Sequence, residues 1–518
     1  MYKHLLSVGG MTLLSRATGF LRDVLLGAIL GAGALADAFV VAFRLPNHFR
    51  AIFGEGAFNA AYVPTYSRAL EQEGAQAARG FADQVFTLLV ASQLALLLLA
   101  WLFMGSLVDL LAPGFRAHPE THALAVTLTR ITFPYLMFVT LVTLLSGTLN
   151  AHRKFAAAAA APILLNLAMI ATLALAFLFP NAAYAAAWGV AIAGVLELAL
   201  LIEAARRSGV MTRFARFAAS EDVRRFFKTL GPAVIGSAGV QIAMFADTII
   251  ASLLPTGAVS SIYYADRLYQ LPIGVIGVAA GTVLLPEMSR RLAAGDAGAA
   301  FHAQNRTAAL TIALAMPFFV AFLMIPDVIM RGVFLRGRFD AQAAMASARV
   351  LEAYGFGLIA IVLIRSAVAS FQAQGDTKTP MIVSLIAVGV NVALKLALYQ
   401  SMGAAGLALA TSIGAWVNFG LLVALALRRG AMDPDLTFAR TAAAAAIAGF
   451  VLALAAQALW LPTWRLAGGL GLAAYPVHLA LLGLAGALVY GLVLYAGLLV
   501  GGVKLTLRGK KQATPDAT

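Results

Sequence analysis

Within its first 60 residues the chain sets Arg16, Arg22, Asp23, Asp37, Arg44, Arg50 and Glu55 into stretches apolar enough to enter a bilayer. An unpaired charge near the bilayer centre costs about 3 to 17 kcal/mol, depending on the snorkelling and water it recruits. Such residues therefore need a wet cavity or a partner. Arginines outnumber carboxylates here, and a cavity between helices lined that way is a place for an anion. Guanidinium is permanently charged and grips phosphate oxygens with two parallel hydrogen bonds, which suits a diphosphate better than a hydrophobic cation.

Spacing sorts these residues onto faces. In the first span Arg16, Gly19 and Asp23 share one helical face, and Arg22 points about 120° away. Asp23 can neutralise one arginine and not readily both; an internal salt bridge between two helices is the competing structural reading. In the second span Asp37, Arg44 and Asn47 share a face, and Arg50 extends it by a turn. Pro46 removes a backbone donor and clashes with the carbonyl of residue 42, so a kink is expected, of the kind tolerated at membrane depth where backbone lines a cavity. The run Tyr263 to Pro272 contains Arg267. Arg16, Arg22, Arg50 and Arg267 are expected to converge near a central cavity.

A second polar set comprises Asp247, Asn391 and Lys395, with Thr411 and Ser412 in the next span. Three readings stand. Asp, Asn and Thr oxygens could hold Na+, Asp247 could exchange H+ with Lys395 as a built-in cation, or Asp247 and Lys395 form a static buried pair. Nothing supports catalysis: Gly-rich phosphate loop, His-Glu metal helix and nucleophile elbow are all missing, so neither a metal nor a cofactor is expected.

The elements that must position these side chains are transmembrane helices. The 518 residues are 61% hydrophobic and 12% charged, with mean hydropathy +0.88, which excludes an ordinary soluble protein. About fourteen apolar runs between residues 4 and 502 are long enough to cross roughly 30 Å of hydrocarbon. Ten-residue alternating patterns are missing, which argues against a β-barrel and for an all-α polytopic membrane protein. The net charge of +14 is topological rather than a sign of nucleic acid. Of the 37 Lys and Arg, 23 fall in loops and tails on one side if both termini share it, and only Arg116, Arg331, Arg336, Arg338 and Arg465 fall opposite. The positive-inside rule then makes both termini cytoplasmic and directs the basic loops to anionic membrane lipids. With no cysteine there is no thiol chemistry, and the first span reads as retained rather than cleaved.

The chain also repeats itself. Val63-Pro64 to Leu70 recurs as Leu285-Pro286 to Leu292, Asp23 recurs as Asp247 and Asn166 as Asn391, at similar offsets and in order. Parallel six-helix lobes follow: 1–207 and 226–428, joined by a basic linker at 208–225. Residues 429–505 supply two more helices, either for packing or to shape a groove for a lipid chain, and 506–518 form a basic tail.

Ser15-Arg16-x-x-Gly19-Phe20-x-Arg22-Asp23, Gly31-Ala32-Gly33 to Asp37-Ala38-Phe39, Phe43-Arg44-Leu45-Pro46-Asn47, Phe53-Gly54-Glu55-Gly56-Ala57-Phe58 and Ala265-Asp266-Arg267 together resemble the MurJ (MviN) family, within the multidrug/oligosaccharidyl-lipid/polysaccharide exporter superfamily. The resemblance runs from residue 1 to about 505. It implies a lipid II flippase of the bacterial inner membrane, with fourteen helices, a V-shaped cavity and a groove for the undecaprenyl tail between the last two. It implies substrate contacts at Arg16, Arg22, Arg50 and Arg267, with Asp37 and Asn47 beside them and Asp23, Arg44, Pro46 and Glu55 in support. Lys395 stands where an ion-coupled member would have a cation-coordinating side chain, so Na+, H+ and membrane potential all stand as the coupling force. The rival functions are a flippase for another undecaprenyl-linked saccharide, a multidrug antiporter of the same superfamily, and a membrane scaffold for cell-wall synthesis proteins.

Overall fold

The computed structural model describes residues 2–50, 57–216 and 220–503. Among them the only extended pairing is an isolated bridge between Arg336 and Phe339; the rest is helix and short connections. In chain order the helices are α1 (Tyr2–Leu30), α2 (Ala34–Arg50), α3 (Ala57–Gln72), α4 (Ala75–Leu102), α5 (Met104–Leu111), α6 (Pro119–Thr132), α7 (Tyr135–Ala151), α8 (Ala156–Ala174), α9 (Ala182–Arg207), α10 (Glu221–Ser252) and α11 (Ala258–Pro272). They continue as α12 (Val278–Ala293), α13 (Ala297–Met324), α14 (Pro326–Phe334), α15 (Ala341–Gly355), α16 (Leu358–Gln372), α17 (Lys378–Arg428), α18 (Leu436–Ala467) and α19 (Ala474–Val500).

Nine helical stretches among the described residues are long and apolar enough to cross a membrane. The fourteen expected spans do not all meet that measure, for physical reasons visible in the helices themselves. Helix α1 carries Arg16, Arg22 and Asp23, and α2 is only 17 residues long with Asp37 and Arg44 inside it. Helix α17 runs for 51 residues and holds two of the expected spans, 379–400 and 404–427. They meet at Gly403, whose φ of 58° and ψ of −136° no helix contains. A side chain there would be strained, so glycine supplies the corner.

The chain packs as two units. The first comprises Met1–Leu268, Val333–Leu351 and Val388–Thr411. In it α8 packs between α1 and α9, α2 lies along α6, and α3 lies along α10. Without an apolar driving force between helices in lipid, close backbone approach supplies much of the attraction. Gly189 of α9 illustrates it: a Cβ there would collide with Thr172 Oγ1 and lie 2.9 Å from Met169 Cα of α8. Near the basic ends of these helices Phe58, Tyr62, Tyr66, Phe81 and Phe226 form a buried aromatic cluster, with Tyr62 hydrogen-bonded to Thr148 at 2.7 Å. Arg68 and Asp222 close it with an ion pair.

The second unit comprises Tyr269–Gly332, Glu352–Ala387 and Ser412–Thr518. Here α13 packs against α12, α16 and α18, and α18 and α19 form a long antiparallel hairpin. Some of its buried polar groups are paired across helices. Gln304 donates to Ser370 Oγ at 2.5 Å and to the Ser366 carbonyl at 3.0 Å, and Tyr490 donates to the Ala313 carbonyl at 2.6 Å.

Candidate functional site

The first unit gathers most of the charged residues singled out above. Arg22 is 7% exposed, and each of its three guanidinium nitrogens donates a hydrogen bond. Nε and Nη2 donate to Asp23 Oδ1 at 3.0 and 2.7 Å, and Nη1 donates to Asn166 Oδ1 at 2.9 Å. Asn166 turns its amide hydrogens to the Ser15 carbonyl (2.9 Å) and Thr18 Oγ1 (3.1 Å), so α8 is fastened to α1 at Ser15, Thr18 and Arg22. The amide passes over Gly19, where a Cβ would lie 3.4 Å from Asn166 Nδ2, an ordinary contact. The one arginine that Asp23 neutralises is thus Arg22. Arg16, six residues earlier, is exposed and has no acid or hydrogen-bond partner among the described residues.

Helix α11 completes the cluster. Tyr263 donates its hydroxyl to Asp23 Oδ1 at 2.9 Å, and the Arg267 guanidinium carbon lies 4.9 Å from the centre of the Tyr263 ring. Arg22 and Arg267 therefore approach Tyr263 from its two ends, the hydroxyl and the π face, an attraction available to arginine over aromatic rings. Arg267 also donates to Asp266 at 3.3 Å, keeps 36% of its side chain exposed, and has a buried Nε with no hydrogen-bond partner among the described residues. A donor left over in this way is what an anion would find.

Asp37 does a different task. It is 2% exposed, accepting from Gly257 N at 2.6 Å through Oδ2 and from Ser260 N and Oγ at 2.8 and 2.7 Å through Oδ1. Those are orphan donors at the start of α11, and a carboxylate there both satisfies them and meets the positive end of the helix dipole. On the same helix as Asp37, Arg44 donates to Thr248 Oγ1 of α10 at 3.2 Å, and Asn47 is half-buried. Helix α2 continues through Pro46 to Arg50. The carbonyl of Ala42, which Pro46 leaves without its helical donor, accepts the Thr132 hydroxyl of α6 at 2.8 Å. The Arg50 side chain and Glu55 lie outside the described residues.

The second polar set is drawn together in part. Lys395 of α17 is 1% exposed and ion-paired with Asp247 of α10. One turn before it, Asn391 has a buried Oδ1 without a hydrogen-bond partner. Thr411 points its hydroxyl at its own helix, donating to the Leu407 carbonyl at 3.1 Å, and Ser412 donates to the Ala353 carbonyl at 2.6 Å. Among the described residues no group of three His, Cys, Asp or Glu is gathered for a metal ion. Sequence reasoning missed Tyr263 and Thr132 as partners, and saw Asn166 only as a repeat marker.

The family described as "Lipid II flippase MurJ" matches residues 26–475. The "Probable lipid II flippase MurJ" of Rhizobium meliloti (strain 1021) is 39% identical over 514 residues, covering 98% of this chain and 95% of the relative. The "Lipid II flippase MurJ" of Burkholderia cenocepacia is 36% identical over 446 residues, covering 84% and 85%. Among solved structures, "Lipid II flippase MurJ, inward closed conformation" superimposes with a TM-score of 0.78 at 24% identity, covering 95% of this chain and 99% of that one. An inward-facing multidrug resistance MATE family transporter of the MOP superfamily gives 0.68 at 16% identity, covering 80% and 94%. At these identities the structural likenesses speak for the fold alone.

Proposed function

The chain belongs to the MurJ family and is a lipid II flippase of the bacterial inner membrane, and we propose that Arg16 and Arg267 hold the diphosphate of that substrate while Arg22 holds the cluster together. Lipid II crosses by alternating access, and the activity is transport rather than catalysis. The observation that carries the division of labour is that all three guanidinium nitrogens of Arg22 donate to Asp23 or Asn166, whereas among the described residues Arg16 has no partner and Arg267 Nε has none. Arg50, at the end of α2, is assigned to the same headgroup by its family motif.

Several features support the finer organisation. The positive-inside charge bias favours both termini in the cytoplasm. Two lobes, 1–207 and 226–428, accord with a correspondence between the polar sets: Asp23 meets Arg22, tied to Asn166 of α8, and its counterpart Asp247 meets Lys395, one turn from Asn391, the counterpart of Asn166. We assign helices α18 and α19, after the second lobe, to the undecaprenyl chain.

The test is depletion of the flippase in its host, followed by the leaflet position of lipid II and rescue by alanine variants. Arg16→Ala and Arg267→Ala should reach the membrane at normal levels and leave lipid II in the cytoplasmic leaflet. Full rescue by both, at normal protein levels, would overturn the assignment.

A further inference from the structure

Away from the charged cluster, the first unit contains a cavity of about 510 Å³ lined by residues of α4, α6, α7 and α9, among them Trp101, Arg130, Phe138, Trp188 and Ile192. The surface facing the cavity is almost wholly apolar, Thr127 and Arg130 included, and Arg130 is exposed beside it with neither an acid nor a hydrogen-bond partner among the described residues. The break between α6 and α7 at Phe133 and Pro134 opens the groove, with Pro134 in its wall. Beside it α9 presses directly on α7 at Gly194, where a Cβ would lie 2.9 Å from Phe138 and 3.0 Å from Tyr135.

Four helices fix how deep this groove lies. At 1.5 Å per residue, Trp101 is about 33 Å from Arg79 along α4, Arg130 about 32 Å from Ala151 along the consecutive α6 and α7, and Trp188 about 27 Å from Arg206 along α9. Each interval matches the roughly 30 Å of hydrocarbon between one membrane face and the other. Both tryptophans and Arg130 thus stand at a common interface level opposite the basic helix ends, where amphipathic rings settle. From that level Ile131, Phe138, Ile192 and Val195 lead into the hydrocarbon.

We propose that this groove is a binding site for an anionic glycerophospholipid of the surrounding leaflet, its phosphate on Arg130 and one acyl chain along Phe138 and Ile192. Charge complementarity selects the occupant. A lone guanidinium at headgroup depth beside an otherwise apolar trough matches one phosphate joined to one chain, and free phosphate has nothing to place in the trough. A zwitterionic lipid brings its own cation to the phosphate and gains less. The site is separate from the cluster around Tyr263, so the proposal stands apart from the mechanism of transport.

Native mass spectrometry of the full chain, delipidated in detergent and supplied with equal phosphatidylglycerol and phosphatidylcholine, tests it. The wild type should retain phosphatidylglycerol preferentially. Arg130→Gln should lower that retention roughly fivefold, the equivalent of about 1 kcal/mol. Ala191→Phe, which fills the trough without touching the charge, should lower retention of the lipid while Arg130 remains. Equal retention of the two lipids, unchanged retention in either folded variant, displacement of the lipid by inorganic phosphate alone, or preferential retention of undecaprenyl phosphate would each overturn the proposal.

Discussion

At the scale of single residues, two arginines six positions apart in one helix have opposite surroundings, Arg22 buried and paired and Arg16 exposed. Arg22 is buried against Asp23, so removing it leaves a carboxylate stranded with, among the described residues, only the Tyr263 hydroxyl as a donor. Breaking a buried pair from one side costs about 3 to 5 kcal/mol. Arg22→Ala should therefore lower the amount of folded protein in the membrane and its melting temperature, whereas Arg16→Ala should leave both unchanged and affect transport alone. Thermal melting of the two purified variants distinguishes them, and equal melting would refute the buried-pair role. Part of this was legible in the sequence, because arginine inside an apolar helix stands out whatever its partner. The partner was not, since helical spacing assigns residues to faces of one helix, while Asn166 and Tyr263 come from α8 and α11.

At the scale of the element, α2 shows how a proline is accommodated among packed helices. Pro46 was expected from sequence to disturb the helix at the carbonyl of residue 42, and α6 answers with the Thr132 hydroxyl at that oxygen. Neighbouring Ser and Thr side chains commonly satisfy backbone groups freed in this way. A buried carbonyl left unpaired costs about 1 to 3 kcal/mol. Thr132→Val should destabilise the protein by that order, and Pro46→Ala should offset the loss because replacing the proline restores a backbone amide that reaches the Ala42 carbonyl. The two substitutions must then couple in a double-mutant cycle; additive effects on melting would show that the hydroxyl is not answering the proline. Helix counts were less legible than helix class. Charges in α1 and the shortness of α2 take them below the apolar measure, and two spans follow one another within α17 with only the corner at Gly403 between them.

At the scale of the whole molecule, the open issue is what drives the cycle. Moving an anionic headgroup from the cytoplasmic to the periplasmic face carries negative charge toward the positive side of an energised membrane, and each elementary charge gains about 2.3 kcal/mol per 100 mV. We propose that this potential, rather than a bound sodium ion, supplies the drive, with Lys395 as the resident cation beside Asp247. A second cation there would have to displace an ammonium that is 1% exposed and already paired. The partnerless Asn391 Oδ1 marks where an incoming ion would gain an oxygen once that ammonium is gone. In vesicles at fixed pH, flipping by the wild type should respond to an imposed potential and remain unchanged when Na+ replaces K+. Lys395→Asn should impair flipping and make what is left respond to Na+, because Asp247 and Asn391 are then free to coordinate it. A wild type that stops without Na+, or that ignores the potential, would sink this account while leaving the arginine cluster and its diphosphate untouched.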